Sequence, residues 1–148
     1  MNFTRPRAVT PLLVSPLLVL IGCASIQSVA YTPQPDRISD PQAEITRFIM
    51  LNTTPHCLAE PQFEERVLDV KFVCSNGIGH FMARLDQVES IQIEQFKEWY
   101  RVILRHSGGI DDFSWSSKRL EDVQRAADAF DALVHQEAER PNSSKQSI

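Results

Sequence analysis

The sequence lacks most of the short motifs by which enzymes and metal proteins are recognised. Its five glycines form no glycine-rich phosphate loop, because the four that follow residue 22 fall at two predicted hairpin turns. The three cysteines include no Cys-x-x-Cys pair, and the four histidines share no ligand spacing. A Gly-x-Ser-x-Gly nucleophile motif is also missing. We therefore expect a non-enzymatic protein that holds neither cofactor nor metal.

Positive charge is scarce as well. The chain has 15 basic and 19 acidic side chains, and its net charge of −4 argues against general nucleic-acid binding, which requires a basic surface. Neither internal repeats nor a heptad array is visible in the sequence. A length of 148 residues favours a single domain with a small core.

One cluster of polar residues could be mistaken for an active site. His106 and Ser107 precede the Gly108-Gly109 pair, and Asp111 and Asp112 follow it, so a nucleophile, a base and an orienting acid can be imagined there. Ser, Gly and Asp are, however, the residues that turns use for local hydrogen bonding. We interpret the cluster as turn chemistry and expect no catalytic residue.

The N-terminus has the form of a secretory signal. Residues 1–22 begin with Arg5 and Arg7 and continue as a short apolar run that ends at Cys23. A membrane-spanning helix needs about 20 apolar residues, and Pro11 and Pro16 interrupt this shorter run. Removing 1–22 takes away both arginines and leaves a net charge of −6.

The segment Leu20–Cys23 resembles the lipobox of bacterial lipoproteins. The resemblance implies cleavage before Cys23, a diacylglyceryl group on its sulfur and an acyl chain such as palmitate on its new amino group. Ala24, where inner-membrane lipoproteins usually carry Asp, implies a protein anchored in the outer membrane and facing the periplasm, if the organism has two membranes. An ordinary secretory signal with a chance cysteine is the alternative.

The other two cysteines form an even pair. In an oxidising, exported compartment, Cys57 and Cys74 are expected to form a disulfide bond. The alternative is a pair of buried free thiols.

Composition divides the rest of the chain. Residues 23–40 are small, polar and proline-marked, which predicts a flexible tether behind the lipidated cysteine. A single domain is expected over 41–136, and a disordered polar tail over 137–148. The domain begins with a helix over 41 to 52, because Asp40 can cap it and Pro41 suits its first position.

Three predicted hairpins make up the middle of the domain. Turns at Asn76-Gly77, Lys97-Glu98 and Gly108-Gly109 each place apolar residues on one face and opposite charges on the other. The predicted pairs are Phe72–Phe81, Val70–Ala83, Leu68–Leu85, Asp69–Arg84, Ile93–Val102, Ile91–Leu104, Glu94–Arg101, Leu104–Phe113, Val102–Trp115 and Arg105–Asp112.

These patterns predict an α+β fold: an antiparallel meander of about five strands between 66 and 115, a C-terminal helix and an extra N-terminal helix. Ser116 or Ser117 can cap the last helix. Its apolar stripe is expected to cover the sheet, through Leu120, Val123, Ala127, Phe130, Leu133 and Val134.

The order of strands and final helix over 67–136 resembles a pleckstrin-homology-like domain, from LDQVESIQIEQF through DDFSWSSKRLEDVQRAADAF. That family has seven strands where five are predicted here, and its phosphoinositide-type basic cluster is not evident. The resemblance implies a binding module for lipids, peptides or proteins. An open sheet with helices on it is the competing architecture.

Three apolar residues are predicted on the face opposite the core. Phe96, Trp99 and Ile103 suggest a partner surface. The alternative is that the first helix covers this face with Phe48 and Ile49. Together the patterns predict a lipid-anchored envelope lipoprotein whose periplasmic domain binds another, unidentified envelope protein. The alternative function is a lipid or small-ligand binding module.

Overall fold

The computed structural model describes residues 25–108 and 112–138, with side-chain surroundings as far as residue 135. The predicted signal peptide, Cys23 and the tail beyond 138 lie outside the described residues, as does Asp111. The α+β class is confirmed. The described elements are β1 (Gln27–Val29), α1 (Pro41–Leu51), β2 (Cys57–Glu64), β3 (Val67–Cys74), β4 (Gly77–Arg84), β5 (Val88–Phe96), β6 (Trp99–His106), β7 (Phe113–Ser117) and α2 (Leu120–Ala138), with short 3₁₀ turns at Pro35–Arg37 and Leu85–Gln87.

The described strands form two antiparallel sheets where a single five-stranded meander was predicted. One has the order β2-β3-β4 and the other the order β1-β5-β6-β7. Helix α2 packs on β5 and β6, and α1 packs on α2 and β2. The core between these elements is apolar, and its most deeply buried large side chains are Phe48, Phe113, Phe130, Ile45, Ile49, Leu68, Leu104, Val70, Val102 and Val123.

Two of the three predicted hairpin registers are confirmed. The β5–β6 pairs include Ile93 with Val102, and the β6–β7 pairs include Leu104 with Phe113. The Lys97-Glu98 turn closes β5 on β6, and Lys97 has a φ of 55°, the left-handed backbone that two-residue hairpin turns use.

The β3–β4 register differs from the prediction by two residues. Val70 pairs with Phe81 and Leu68 with Ala83, because the turn lies at Ser75-Asn76 and Gly77 begins β4. A shift of two residues keeps each side chain on its predicted face, since strand side chains alternate with a period of two. Asp69 consequently lies opposite Met82 and contacts His80 instead, with His80 Nδ1 at 3.3 Å from Asp69 Oδ1.

The segment predicted as a flexible tether is part of the domain from residue 27 onward. Strand β1 pairs with β5, with Gln27 opposite Gln95. The Tyr31 hydroxyl donates to Asp128 Oδ1 at 2.6 Å, and Gln34 N donates to the same oxygen at 2.7 Å. Burial and this hydrogen bond raise the pKa of Tyr31 to about 12. The structure therefore corrects the tether prediction for this segment.

Both helices form close to where they were predicted. Asp40 caps α1, since its Oδ1 accepts a hydrogen bond from Ala43 N at 3.0 Å. Helix α2 begins later than expected because residues up to Ser117 belong to β7, and Ser117 Oγ accepts from Arg119 N at 3.2 Å. The predicted stripe faces the core, with Val123, Ala127, Phe130 and Leu133 buried.

The two domain cysteines lie opposite each other at the ends of β2 and β3. Cys57 pairs with Cys74 in the ladder, and their sulfur atoms are at disulfide-bonding distance, 2.00 Å. The predicted pairing is confirmed at that level. Strand β2 itself was not predicted, because Pro61 and the acidic residues Glu60 and Glu64 hide the pattern of a strand.

Candidate functional site

A groove of about 570 Å³ opens beside the β5–β6 turn. Aromatic side chains from three successive strands form much of its wall, and the end of α1 and the residue before β1 complete it. Its lining consists of Ile26, Asn52, Thr54, Phe96, Trp99, Tyr100, Arg101, Ser114, Trp115 and Ser116. A concave, aromatic surface with a few hydroxyl and amide groups is the usual form of a ligand or peptide site.

The structure separates the three residues predicted as a partner surface. Phe96 and Trp99 face each other across the β5–β6 ladder and are 40% and 43% exposed. Ile103 is 3% exposed, so its inclusion in the surface was wrong. The alternative was also wrong, because α1 packs on α2 and β2, and Phe48 and Ile49 belong to the main core.

Ile26 extends the pair of aromatic residues into a row. In the antiparallel β1–β5 register, Gln27 lies opposite Gln95. Ile26, which precedes Gln27, therefore comes opposite Phe96, which follows Gln95. Paired residues of neighbouring antiparallel strands lie on the same face. Ile26 is 56% exposed. We call Ile26, Phe96 and Trp99 the apolar row; it crosses the ends of three adjacent strands.

Two lysines lie over the aromatic rings of this row. Lys97 Nζ is 5.4 Å from the centroid of Phe96, and Lys118 Nζ is 5.0 Å from the ring of Trp99. Both distances are those of cation–π contacts. Lys118 also pairs with Glu98 at 3.3 Å, with both side chains largely exposed. The apolar row thus has a cationic border.

Beside the row, β6 carries a network of ion pairs. Arg101 donates to Glu94 Oε2 from two nitrogens, at 3.0 and 2.6 Å, and Arg105 reaches Glu94 Oε1 at 3.3 Å. Arg105 also pairs with Asp112, as predicted, and its hydrogen bond lowers the pKa of that carboxyl group. Both arginines are paired with carboxylates, so the network holds the strands together. The apolar row is therefore the part of this region that can contact a ligand or partner.

Trp115, one of the residues that line the groove, has a buried indole N–H. Its ring stacks on Phe72, with centroids 5.3 Å apart and planes 12° from parallel. Among the described residues, its Nε1 has no hydrogen-bond partner. A buried donor without a partner is costly.

A second candidate surface is the free edge of β4. Within the described ranges, β4 is bonded to β3 on one side and to no strand on the other. Its eight residues pair with β3 without a bulge, and they include neither proline nor an acidic side chain. Ile78 and Met82 are each 67% exposed, and Phe81 is 50% exposed. A long, regular, apolar edge is a template for another strand.

The His106 cluster does not form a catalytic arrangement among the described residues. His106 is buried, and neither of its ring nitrogens has a hydrogen-bond partner in the part of the chain that the structure describes. Asp112 accepts a hydrogen bond from the His106 backbone N–H, at 3.2 Å, and makes none with the imidazole. Gln87 Oε1 is a further buried atom that has no hydrogen-bond partner within the described ranges. Sequence reasoning missed both of these unpaired polar groups, because no local pattern marks them.

Within residues 25–108 and 112–138, no three His, Cys, Asp or Glu side chains are grouped closely enough to hold a metal ion. In the same part of the chain, neither helix has the length and apolar character that crossing a membrane requires. Comparison with known proteins found no match to a family model, to a curated protein or to a solved structure.

Sequence reasoning also missed the free edge of β4, although part of its signal was available. The strand GIGHFMAR contains neither proline nor an acidic residue, and its one basic residue, Arg84, stands at the end. What the sequence does not reveal is which strand of a sheet lies at its edge, since that depends on how the two sheets divide. The predicted single meander placed β4 inside the sheet.

Proposed function

We propose that this protein is a lipid-anchored, non-enzymatic lipoprotein of the cell envelope, and that its domain binds another envelope protein by accepting an extended segment along β4. The anchor rests on the lipobox-like sequence ending at Cys23 and on the secretory signal before it. The pairing of Cys57 with Cys74 supports export, because disulfides persist in oxidising compartments.

The observation that carries the proposal is the condition of the β4 edge. Proteins usually protect an edge strand by shortening it, bulging it, covering it or placing charge and proline on it. Strand β4 has eight residues in regular register and exposes the large apolar side chains of Ile78 and Met82. Strand addition supplies affinity through backbone hydrogen bonds and specificity through alternate side chains. The expected occupant is an extended segment with apolar residues at every second position.

The test is in-cell cross-linking of the full chain, with each captured protein identified by mass spectrometry. The edge variant carries Ile78→Lys and Met82→Lys, which place charge on β4 at exposed positions. Its matched control is Leu58→Lys, because Leu58 is 70% exposed and lies on the same face of the same sheet, at the opposite edge. A third sample carries Cys23→Ser and lacks the anchor.

We expect one dominant partner in the wild type and in Leu58→Lys, its loss in the edge variant, and a marked reduction in Cys23→Ser. Retention of the partner by the edge variant would refute strand addition. Equal capture with and without Cys23 would refute the role of the anchor. Loss in all variants, with folded protein throughout, would place the partner surface elsewhere.

A second candidate function is favoured by the groove. Its aromatic wall and the polar lining residues Asn52, Ser114 and Ser116 suit a small ligand that has an apolar face and hydrogen-bonding groups. This function predicts a small molecule that co-purifies with the protein and raises its melting temperature when added back. Native mass spectrometry without a bound molecule, and no thermal shift across envelope lipids, would exclude it.

A further inference from the structure

We propose that the apolar row of Ile26, Phe96 and Trp99 rests in the headgroup region of an anionic phospholipid bilayer and sets how the domain sits on its membrane. This inference rests on the proposed lipid anchor at Cys23. It adds a second membrane contact, made by the folded domain itself. The occupant is a lipid surface, and the argument depends on chain length, exposure and charge.

Chain length ties the row to the anchor. Cys23 is three positions before Ile26, and an extended chain spans at most about 3.6 Å per residue, so the acylated residue is within about 11 Å of Ile26. The chain is held in place almost at once after that, because β1 pairs with β5 from Gln27 onward. Residues 27–29 therefore belong to the sheet and do not act as a tether that could lift the domain away from the bilayer.

The composition of the row suits the membrane interface. Trp and other amphipathic aromatic side chains concentrate at the level of the lipid headgroups. Phe96 and Trp99 are 40% and 43% exposed. Leu51, 68% exposed, precedes the groove residue Asn52 and adds apolar surface at the same end of the domain.

The charges around the apolar row also favour contact between the row and an anionic membrane. Lys97 and Lys118 lie over the two aromatic rings, and their flexible stems allow the ammonium groups to reach lipid phosphates while the rings insert. Glu98 is the opposing charge at this turn, and it pairs with Lys118. Arg101 is neutralised by Glu94. The two lysines against Glu98 leave the border of the row positive, in a chain that is acidic overall.

The two tryptophans allow a direct test in the complete lipidated protein. It is reconstituted into vesicles of phosphatidylethanolamine and phosphatidylglycerol that contain acyl-chain-brominated lipid, which quenches nearby tryptophan fluorescence. Trp115→Phe leaves Trp99 as the reporter, and Trp99→Phe leaves Trp115. If Trp115→Phe fails to fold, the difference between wild type and Trp99→Phe reports the same quantity.

We expect the protein to float with the vesicles, and Trp99 to be quenched and blue-shifted more strongly than Trp115. Flotation with equal or weaker quenching at Trp99 would overturn the membrane contact and leave the anchor intact. Failure to float would overturn the anchor and the contact together. The two failures are thus distinguishable in one experiment.

A charge variant tests the lysine border. Each basic residue near an anionic surface favours binding by about fivefold, so Lys97→Gln with Lys118→Gln should weaken quenching of Trp99 on phosphatidylglycerol vesicles and have no effect on phosphatidylcholine vesicles. Lys71→Gln is the matched control, because Lys71 pairs with Glu60 on the outer face of the other sheet. The same loss in the control, or none in the double variant, would overturn the role of the border.

Discussion

The two edges of the three-stranded sheet differ in proline content, in acidic residues and in the cover that a helix provides. Strand β2 carries Pro61, which has no backbone N–H, and exposes Glu60 and Glu64 along its length, and helix α1 packs against it. Strand β4 has the same length but carries neither proline nor an acidic residue, and its exposed side chains include Ile78 and Met82. One sheet thus has a protected edge and an open one.

Both edge strands of the four-stranded sheet are also protected against strand addition, in their case because they are short. Strand β1 has three residues and β7 has five, so neither offers a long ladder. Strand addition can be blocked by a short edge strand, by proline and acidic residues, or by a helix packed on the strand. Strand β4 has none of these three features. Strand β4 lies near β7, where Phe81 contacts Phe113 edge to face, but it is not hydrogen-bonded to that strand. Because β4 lacks the three protecting features, we assign the partner surface to it.

The largest expected effect comes from removing the cross-link that joins the protected edge strand β2 to the central strand β3. Cys57 in β2 and Cys74 in β3 are 17 residues apart in the chain. A disulfide closing a loop of this size contributes about 3 kcal/mol in the chain-entropy model. We expect Cys57→Ser with Cys74→Ser to lower the free energy of unfolding by about that amount, measured by urea denaturation under two-state conditions.

The reduced wild type is the control for this variant, because it lacks the cross-link but keeps both sulfur atoms. It should match the double serine variant. Equal stability of oxidised protein and variant would mean that the two cysteines do not bond in solution. Loss of β2 protection against hydrogen exchange, with β4 less affected, would show that the cross-link mainly holds the protected side.

Two strands, β1 and β2, were not predicted from the sequence at all. Strands β3 to β7 have alternating apolar residues and recognisable turns, so their faces, and two of three registers, follow from local pattern. Strands β1 and β2 carry proline or polar residues that oppose strand formation locally, and tertiary pairing overrides this. The division into two sheets and the burial of Ile103 depend on long-range packing, which no local pattern encodes.

A smaller effect is expected where α1 is held against α2 beside β2. Arg125 donates to both carboxylate oxygens of Glu44, at 3.2 and 2.9 Å, and Arg47 pairs with the same group. The Glu44 side chain is 11% exposed, so this pair is better shielded than a surface salt bridge. Glu44→Gln should lower the free energy of unfolding by about 1 kcal/mol. Hydrogen exchange should accelerate in β2 and stay unchanged in β4.

The same carboxylate predicts a dependence on pH. The hydrogen bond from Arg125 lowers the pKa of Glu44 below its ordinary 4.5. A group whose pKa is lower in the folded state stabilises the protein above its unfolded pKa, and this contribution is lost as pH falls through the folded value. The difference between wild type and Glu44→Gln should therefore be full near neutral pH and shrink as pH falls below 4.5. A constant difference across that range would contradict the assignment.

The smallest expected effect is on the stability of variants at the open edge, and it tests whether exposed residues of β4 serve binding or folding. Ile78 and Met82 on β4 and Leu58 on β2 are all at least two-thirds exposed and lie on the outer face of one sheet. Lysine at each position should change the free energy of unfolding by less than about 0.5 kcal/mol, since exposed substitutions remove few contacts. Urea denaturation of the three variants checks this. If the β4 variants are as stable as wild type yet lose the partner, the edge itself makes the contact. If they are instead destabilised by several times the change in Leu58→Lys, β4 is needed for folding. Its exposed residues would then not be available to bind a partner.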